Sequence, residues 1–181
     1  TALGNWHKQG NDNAASEDFA AEQFEILMQS MEDAGYVQYE ISNFGKPGQF
    51  ALHNTNYWLG VPYLGIGPSA HSFDGKSRGS NIAHNVQYIK KLKTGESIYT
   101  KEILSDEDAA NDYILTSLRT IWGTDLTYLK DNSGYDLADL KNDTFKMLRQ
   151  EKLILEETNK ITLTKKGRLL ADSIAESLFL P

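Results

Sequence analysis

The sequence predicts an α/β layer followed by a mainly helical, winged-helix-like domain. Three observations predict it: a capped helix that runs directly into a β-forming segment near residue 36, a glycine- and aromatic-rich middle, and a helix, hairpin, helix rhythm after residue 105. The 181 residues, 40% apolar, suffice for one ordinary domain or two small ones. The boundary is set at the Thr94-Gly95-Glu96-Ser97 turn, giving units 1–97 and 98–181.

Ser16-Glu17-Asp18 opens the first helix, a hydroxyl to cap free amides followed by acids at the positive end of the dipole. Ala20, Phe24, Leu27, Met28, Met31 and Ala34 form its apolar stripe, and Gly35 ends it. Tyr36 to Ile41 reads as a strand. From Ser42 to Arg78 only short regular pieces fit: a helical turn around Asn56 and a strand at Tyr63-Leu64-Gly65-Ile66. His84 to Lys93 reads as a helix with Val86, Ile89 and Leu92 inward.

In the second unit, Ser105 to Asp108 has the spacing of a capping box and opens a helix, with Ala110, Tyr113, Ile114, Leu118 and Ile121 on one face, that ends at Gly123. Further helices are expected at 126–130 and 137–150. A hairpin follows at 153–155 and 161–163, then a closing helix capped by Thr164 and running through Leu178.

The net charge of −7 argues against nucleic acid or anionic lipid as a bulk partner, and the 137–150 helix mixes its charges too evenly to read DNA. Residues 36–100 nonetheless carry six Lys or Arg against three acids, a local excess where an anionic small ligand could sit. With no cysteine, the chain has no disulfide, no thiolate zinc site and no ligand for an ordinary iron–sulfur cluster. No apolar run is long enough to span a membrane, and the start lacks signal-peptide character, so a cytoplasmic home is expected. The chain opens on Thr1 with its first clear signal near Ser16, and it is read as an excised piece.

The chemistry concentrates in His53-Asn54-Thr55-Asn56-Tyr57-Trp58. On one helical turn His53 and Tyr57 share a face, an imidazole beside an aromatic plate, which suits a flat ligand whose metal accepts a nitrogen. The plainer reading keeps Tyr57 and Trp58 in a core and His53 or Asn54 as loop hydrogen-bonders. Gly65 and Gly67 let backbone approach a ligand or a neighbouring strand; the dinucleotide fingerprint is incomplete there, and tight packing is the preferred reading. Glu40 ends the predicted strand, where α/β folds place working groups, and a buried hydrogen-bonding role suits it equally. His71 and His84 match no zinc spacing.

Taken in order, Tyr39-Glu40-Ile41-Ser42-Asn43-Phe44, Lys46-Pro47-Gly48, His53-Asn54-x-x-Tyr57-Trp58 and Tyr63-Leu64-Gly65-x-Gly67-Pro68-x-Ala70-His71 resemble the haem-chaperone branch of the oxygen-independent coproporphyrinogen III oxidase family. The resemblance runs from about Ser16 to the end. It implies a radical-SAM parent with an incomplete TIM-like barrel, a three-cysteine [4Fe–4S] cluster and S-adenosylmethionine, of which this chain supplies the last barrel elements and the winged-helix-like C-terminal domain. It implies haem binding and delivery to haem-accepting proteins, or, in the oxidase branch, oxidative decarboxylation of coproporphyrinogen III to protoporphyrinogen IX. By that similarity His53 is the haem-iron ligand, supported by Asn54, Tyr57 and Trp58. Glu40, Asn43, Gly65 and Gly67 become candidate barrel-mouth residues. No catalytic residue is assigned, and without the cluster cysteines this stretch is expected to be inactive alone. Exposed barrel edges would invite pairing into a homodimer. A reading from another class makes residues 98–181 a partner-docking module.

Overall fold

The computed structural model describes residues 2–10 and 16–180; of Glu17, whose acid the first turn was expected to use, the side chain lies outside the described set. Helix α1 (Ala2–Lys8) precedes α2 (Glu17–Asp33). Ser16 caps α2 as its sequence predicts, its hydroxyl accepting from the Phe19 amide at 3.2 Å. Of the apolar stripe only Met28 is buried, while Leu27 is exposed, as are Phe19 and Ile26 beside the stripe.

The expected strand over 36–41 shortens to β1 (Val37–Gln38), which pairs antiparallel with β2 (Phe44–Gly45). Every strand pair among the described residues is antiparallel, so β1 has no parallel neighbour here. The predicted helical turn is α3 (Leu52–Trp58). The predicted strand at 63–66 reduces to a single bridge, Tyr63 to Phe73. Beyond it, β3 (His71–Phe73), β4 (Ser77–Asn81) and β5 (Tyr99–Ile103) form an antiparallel sheet in that order, with α4 (Asn85–Thr94) between its last two strands. Strand β5 lies past residue 97 yet pairs with β4 along five residues.

Helix α4 corrects one expectation. Val86, Ile89 and Leu92 recur at helical spacing but point outward, from 53% to 69% exposed. The spacing makes an apolar face without supplying a partner to cover it. His84 is the N-cap, its Nδ1 accepting from the Gln87 amide at 3.4 Å, a structural task.

The main core lies between Ala110 and Leu180. Helix α5 (Asp106–Leu118) is followed by β6 (Thr124–Asp125), α6 (Leu126–Ser133), α7 (Leu137–Leu140), α8 (Asn142–Gln150), β7 (Ile154–Glu157), β8 (Lys160–Leu163), α9 (Lys165–Arg168) and α10 (Ala171–Leu178). Strand order is β6-β8-β7. Ile114, Leu118, Leu129, Phe145, Leu148, Ile161, Ile174 and Leu178 are all buried in one cluster, where each large side chain is worth about 1.5–3 kcal/mol of transfer free energy. Two helices expected to be continuous are broken, at Lys141 and at Leu170, where φ falls to −115° and −116°. The hairpin stands as expected.

Capping also makes α5 and α7 pH-sensitive. The Ser105 hydroxyl accepts from the Asp108 amide at 3.1 Å, and the Asp108 carboxylate accepts from the Ser105 hydroxyl at 2.8 Å and its amide at 3.2 Å. The Ser105 hydroxyl, then its amide, hold the Asp108 carboxyl below the ordinary aspartate value of 3.8. A folded pKa below the unfolded one gives stabilisation that is full above pH 3.8 and is lost as pH falls through the lower folded value. Asp136, capping α7 and bonded to Lys130, is lowered in the same sense. Acid titration followed by circular dichroism should lose helix below pH 3.8, and Asp108→Ala should flatten that dependence.

Candidate functional site

The six-residue motif lies on α3, whose C-terminal end is closed by the residues that follow it. The helix closes with Gly60 donating to the Tyr57 carbonyl at 3.1 Å and Val61 to that of Asn56 at 3.0 Å, the paired bonds of a Schellman end. A seven-residue helix has little stability of its own, so its orientation comes from what it packs on.

The structure divides the motif between two faces. Asn54 and Trp58, four residues apart, turn inward and are half-buried. The Asn54 amide donates to the Tyr39 hydroxyl at 3.3 Å. Tyr39 is 2% exposed and stacks on Phe50 at 4.7 Å between ring centres, and Phe50 meets the Trp122 ring edge-on at 6.3 Å. Trp58 lies under the Arg119 guanidinium, 5.5 Å from its ring centre. His53 and Tyr57, also four apart, form the outer face: His53 is exposed and Tyr57 is 49% exposed.

The Tyr57 ring contacts Trp58 and Tyr63, both at 5.6 Å, and Tyr63 contacts Phe73 at 6.3 Å, which ties the outer face to the β3–β4–β5 sheet. Burial first, then the Tyr57 hydroxyl beside it, raises the Tyr63 phenol above its ordinary 10.0, so it stays protonated at neutral pH. Leu52, Leu59, Val61, Leu64 and Ile66, on α3 and the segment after it, are all exposed. An open, apolar surface with one imidazole and one aromatic ring is the result.

Glu40 and Asn43 are brought together, but on each other. Glu40 is buried at 3% exposure, and its carboxylate accepts from the Ser42 amide at 3.1 Å and from the Asn43 side chain. Its backbone bridges to Thr120. Gly65 has no room for a side chain, since a Cβ would fall 2.1 Å from the His71 carbonyl oxygen. The Asn81 amide donates to the carbonyls of Gly65, at 3.2 Å, and Gly67, at 2.9 Å, which fixes this segment. Of the basic excess, Lys46 closes on the Tyr36 ring and the Ala34 carbonyl, and Arg78 pairs with Glu102 and Asp112. Arg119, Tyr39, Phe50 and Trp122, none of which the motif names, are the residues that hold it in place.

Two clefts lie elsewhere: about 250 Å³ against Met28, Gln29 and Lys165, and about 160 Å³ beside Arg119, Arg168 and the start of α10. Neither is lined by α3. No group of three or more metal-ligating side chains occurs among the described residues. A lone imidazole does not hold a free ion, but it completes the coordination of a metal that arrives with four ring nitrogens. The chain has no thiolate for a [4Fe–4S] cluster.

No family model matches the chain. Its fold is similar to part of coproporphyrinogen III oxidase (HemN) from Escherichia coli, a radical-SAM enzyme: the two superpose with a TM-score of 0.67 over 91% of this chain and 42% of that one, at 20% identity. Its sequence relatives include proteins named haem chaperone HemW. That of Bacillus subtilis is 31% identical over 176 residues, covering 96% of this chain and 46% of the relative; that of Lactococcus lactis is 28% identical over 180 residues, covering 99% and 47%. The chain is thus a homologue of the HemW proteins whose fold is similar to part of HemN, and the resemblance carried by its motifs is borne out. It spans about half the length of the curated relatives it matches.

Proposed function

We propose that this chain is part of a haem chaperone and that α3 presents its tetrapyrrole-facing surface, with His53 as the axial ligand and Tyr57 against the macrocycle. One observation carries the reading: His53 and Tyr57 lie on the exposed face of a short helix whose adjacent face is anchored through Asn54 and Trp58. The exposed Leu52, Leu59 and Val61 suit an apolar ring edge. Asn54 and Trp58 act from behind, as supports.

In this reading residues 1–97 are the last part of a radical-SAM barrel and 98–181 a winged-helix-like domain. S-adenosylmethionine and the [4Fe–4S] cluster belong to the parent, and the cargo passes to haem-accepting proteins in the cytoplasm. The barrel edges supply the proposed homodimer contact. No helix among the described residues is long and apolar enough to cross a membrane. The oxidase alternative leans on fold likeness, whereas the Bacillus subtilis and Lactococcus lactis relatives, which match over nearly all of this chain, carry the chaperone name. Glu40 has its carboxylate engaged by Ser42 and Asn43, which favours a structural task over acid–base work.

Haemin titrated into the chain should give a saturable Soret band at one equivalent. A featureless, non-saturating titration would contradict the reading.

A further inference from the structure

We infer that Arg119 is a positioning residue for the haem-facing surface, setting the orientation of His53 and Tyr57 by holding the back of α3. The inference rests on the tetrapyrrole reading of α3 and adds to it a device in the second unit that neither the motif nor the fold names.

Arg119 follows directly on α5 as its C-terminal cap, and only 21% of its side chain is exposed. Its guanidinium lies over the Trp58 ring, and its Nη1 donates to Asp172 at the start of α10. Trp58 is thus clamped to a cation that is itself tethered to the helical core. The contact is one of charge against ring face: the Arg119 Nε and the Trp58 Nε1 are both buried and neither has a hydrogen-bond acceptor. A neutral side chain of similar length would fill the space and lose the attraction.

The second anchor of α3 lands on the same segment. Asn54 holds the Tyr39 hydroxyl, the Tyr39 carbonyl accepts from the Ile121 amide at 3.1 Å, and Phe50, stacked on Tyr39, meets Trp122. Both inward residues of the motif therefore reach residues 119–122, between α5 and β6. Trp58 directly follows Tyr57 in sequence and touches it edge-on, so a change in how Trp58 is held moves the outer face.

The test compares haemin binding by the whole chain and its Arg119→Met, Arg119→Lys and His53→Ala forms, reading affinity, Soret position and thermal midpoint. Arg119→Met should bind about fivefold more weakly, the scale of one cation–π contact, with a displaced or broadened Soret band. Arg119→Lys, which keeps a cation over the ring, should recover most of both. A merely structural role would lower the thermal midpoint of both variants alike and leave the spectrum of bound haemin unchanged, which overturns the inference. Wild-type affinity and spectrum in Arg119→Met, with the band lost in His53→Ala, also overturns it and leaves the haem reading standing. An unchanged His53→Ala removes that reading and the inference with it. Should Arg119→Met not fold, Trp58→Phe gives the cation a weaker ring and is expected to shift affinity and band in the same direction.

Discussion

Gly123→Ala is expected to cost about 3 kcal/mol or more of folding stability, enough to unfold a large fraction of a marginally stable domain at physiological temperature. Gly123 joins α5 to β6 with φ at +68°, and a Cβ there would lie 2.2 Å from the Ile161 carbonyl oxygen and 2.6 Å from the Thr162 methyl. The left-handed backbone alone costs an L-residue about 1–2 kcal/mol. The larger part is the backbone contact, because Ile161 is fully buried and its partner Thr124 is the next residue after Gly123, so neither side can retreat without breaking the β6–β8 ladder. Gly134 supplies the control: its φ is +77°, but an added Cβ meets nothing within 4 Å. Gly134→Ala should show the backbone strain alone, about 1 kcal/mol, in the same urea-unfolding experiment followed by circular dichroism. Equal losses at the two positions would mean that the junction at Gly123 is not packed as described.

His53→Ala has the opposite signature. The side chain is exposed and makes none of the hydrogen bonds that hold α3, so stability should change by no more than about 0.5 kcal/mol. Haemin affinity should fall by about tenfold or more, and the band of a histidine-ligated iron should be replaced by that of weakly held haemin. Asn54→Leu should do the reverse in the first respect, lowering stability by about 1 kcal/mol through loss of its bond to the buried Tyr39 hydroxyl. A motif that is read as one unit in sequence therefore separates into an outer pair that meets the ligand and an inner pair that holds the helix.

The elements that local chemistry dictates were legible. Ser16, Ser105 and Thr164 cap the helices they precede, and the 154–163 hairpin forms where two β-runs flank a polar turn. The break at Lys141 was not legible, because no glycine or proline marks it; that at Leu170 had one local sign, Gly167 three residues earlier, which the expected helix ran through. The β3–β4 hairpin did carry a signal, the Asp74-Gly75 pair. The Asp74 carboxylate accepts from the amides of Lys76 and Ser77, the turn chemistry that such a pair announces. Strand β6 is two residues long and exists through its pairing with β8, thirty-odd residues on, a contact no window of sequence displays.

At the site, the i,i+4 relation of His53 and Tyr57 could be read from spacing alone, as could the tight packing at Gly65. Arg119 could not. Sixty-one positions separate it from Trp58, and nothing periodic links them. The outward turn of Val86, Ile89 and Leu92 shows the general limit: spacing identifies a face, while burial depends on whether another element arrives to cover it.

The most direct test of the outer-face claim is where a porphyrin touches the chain. Amide resonances of the labelled protein, followed during titration with diamagnetic zinc protoporphyrin, should shift most over residues 52–66, with His53 and Tyr57 leading and the helices from 126 to 178 nearly silent. Shifts concentrated in those helices, with α3 unmoved, would contradict the account.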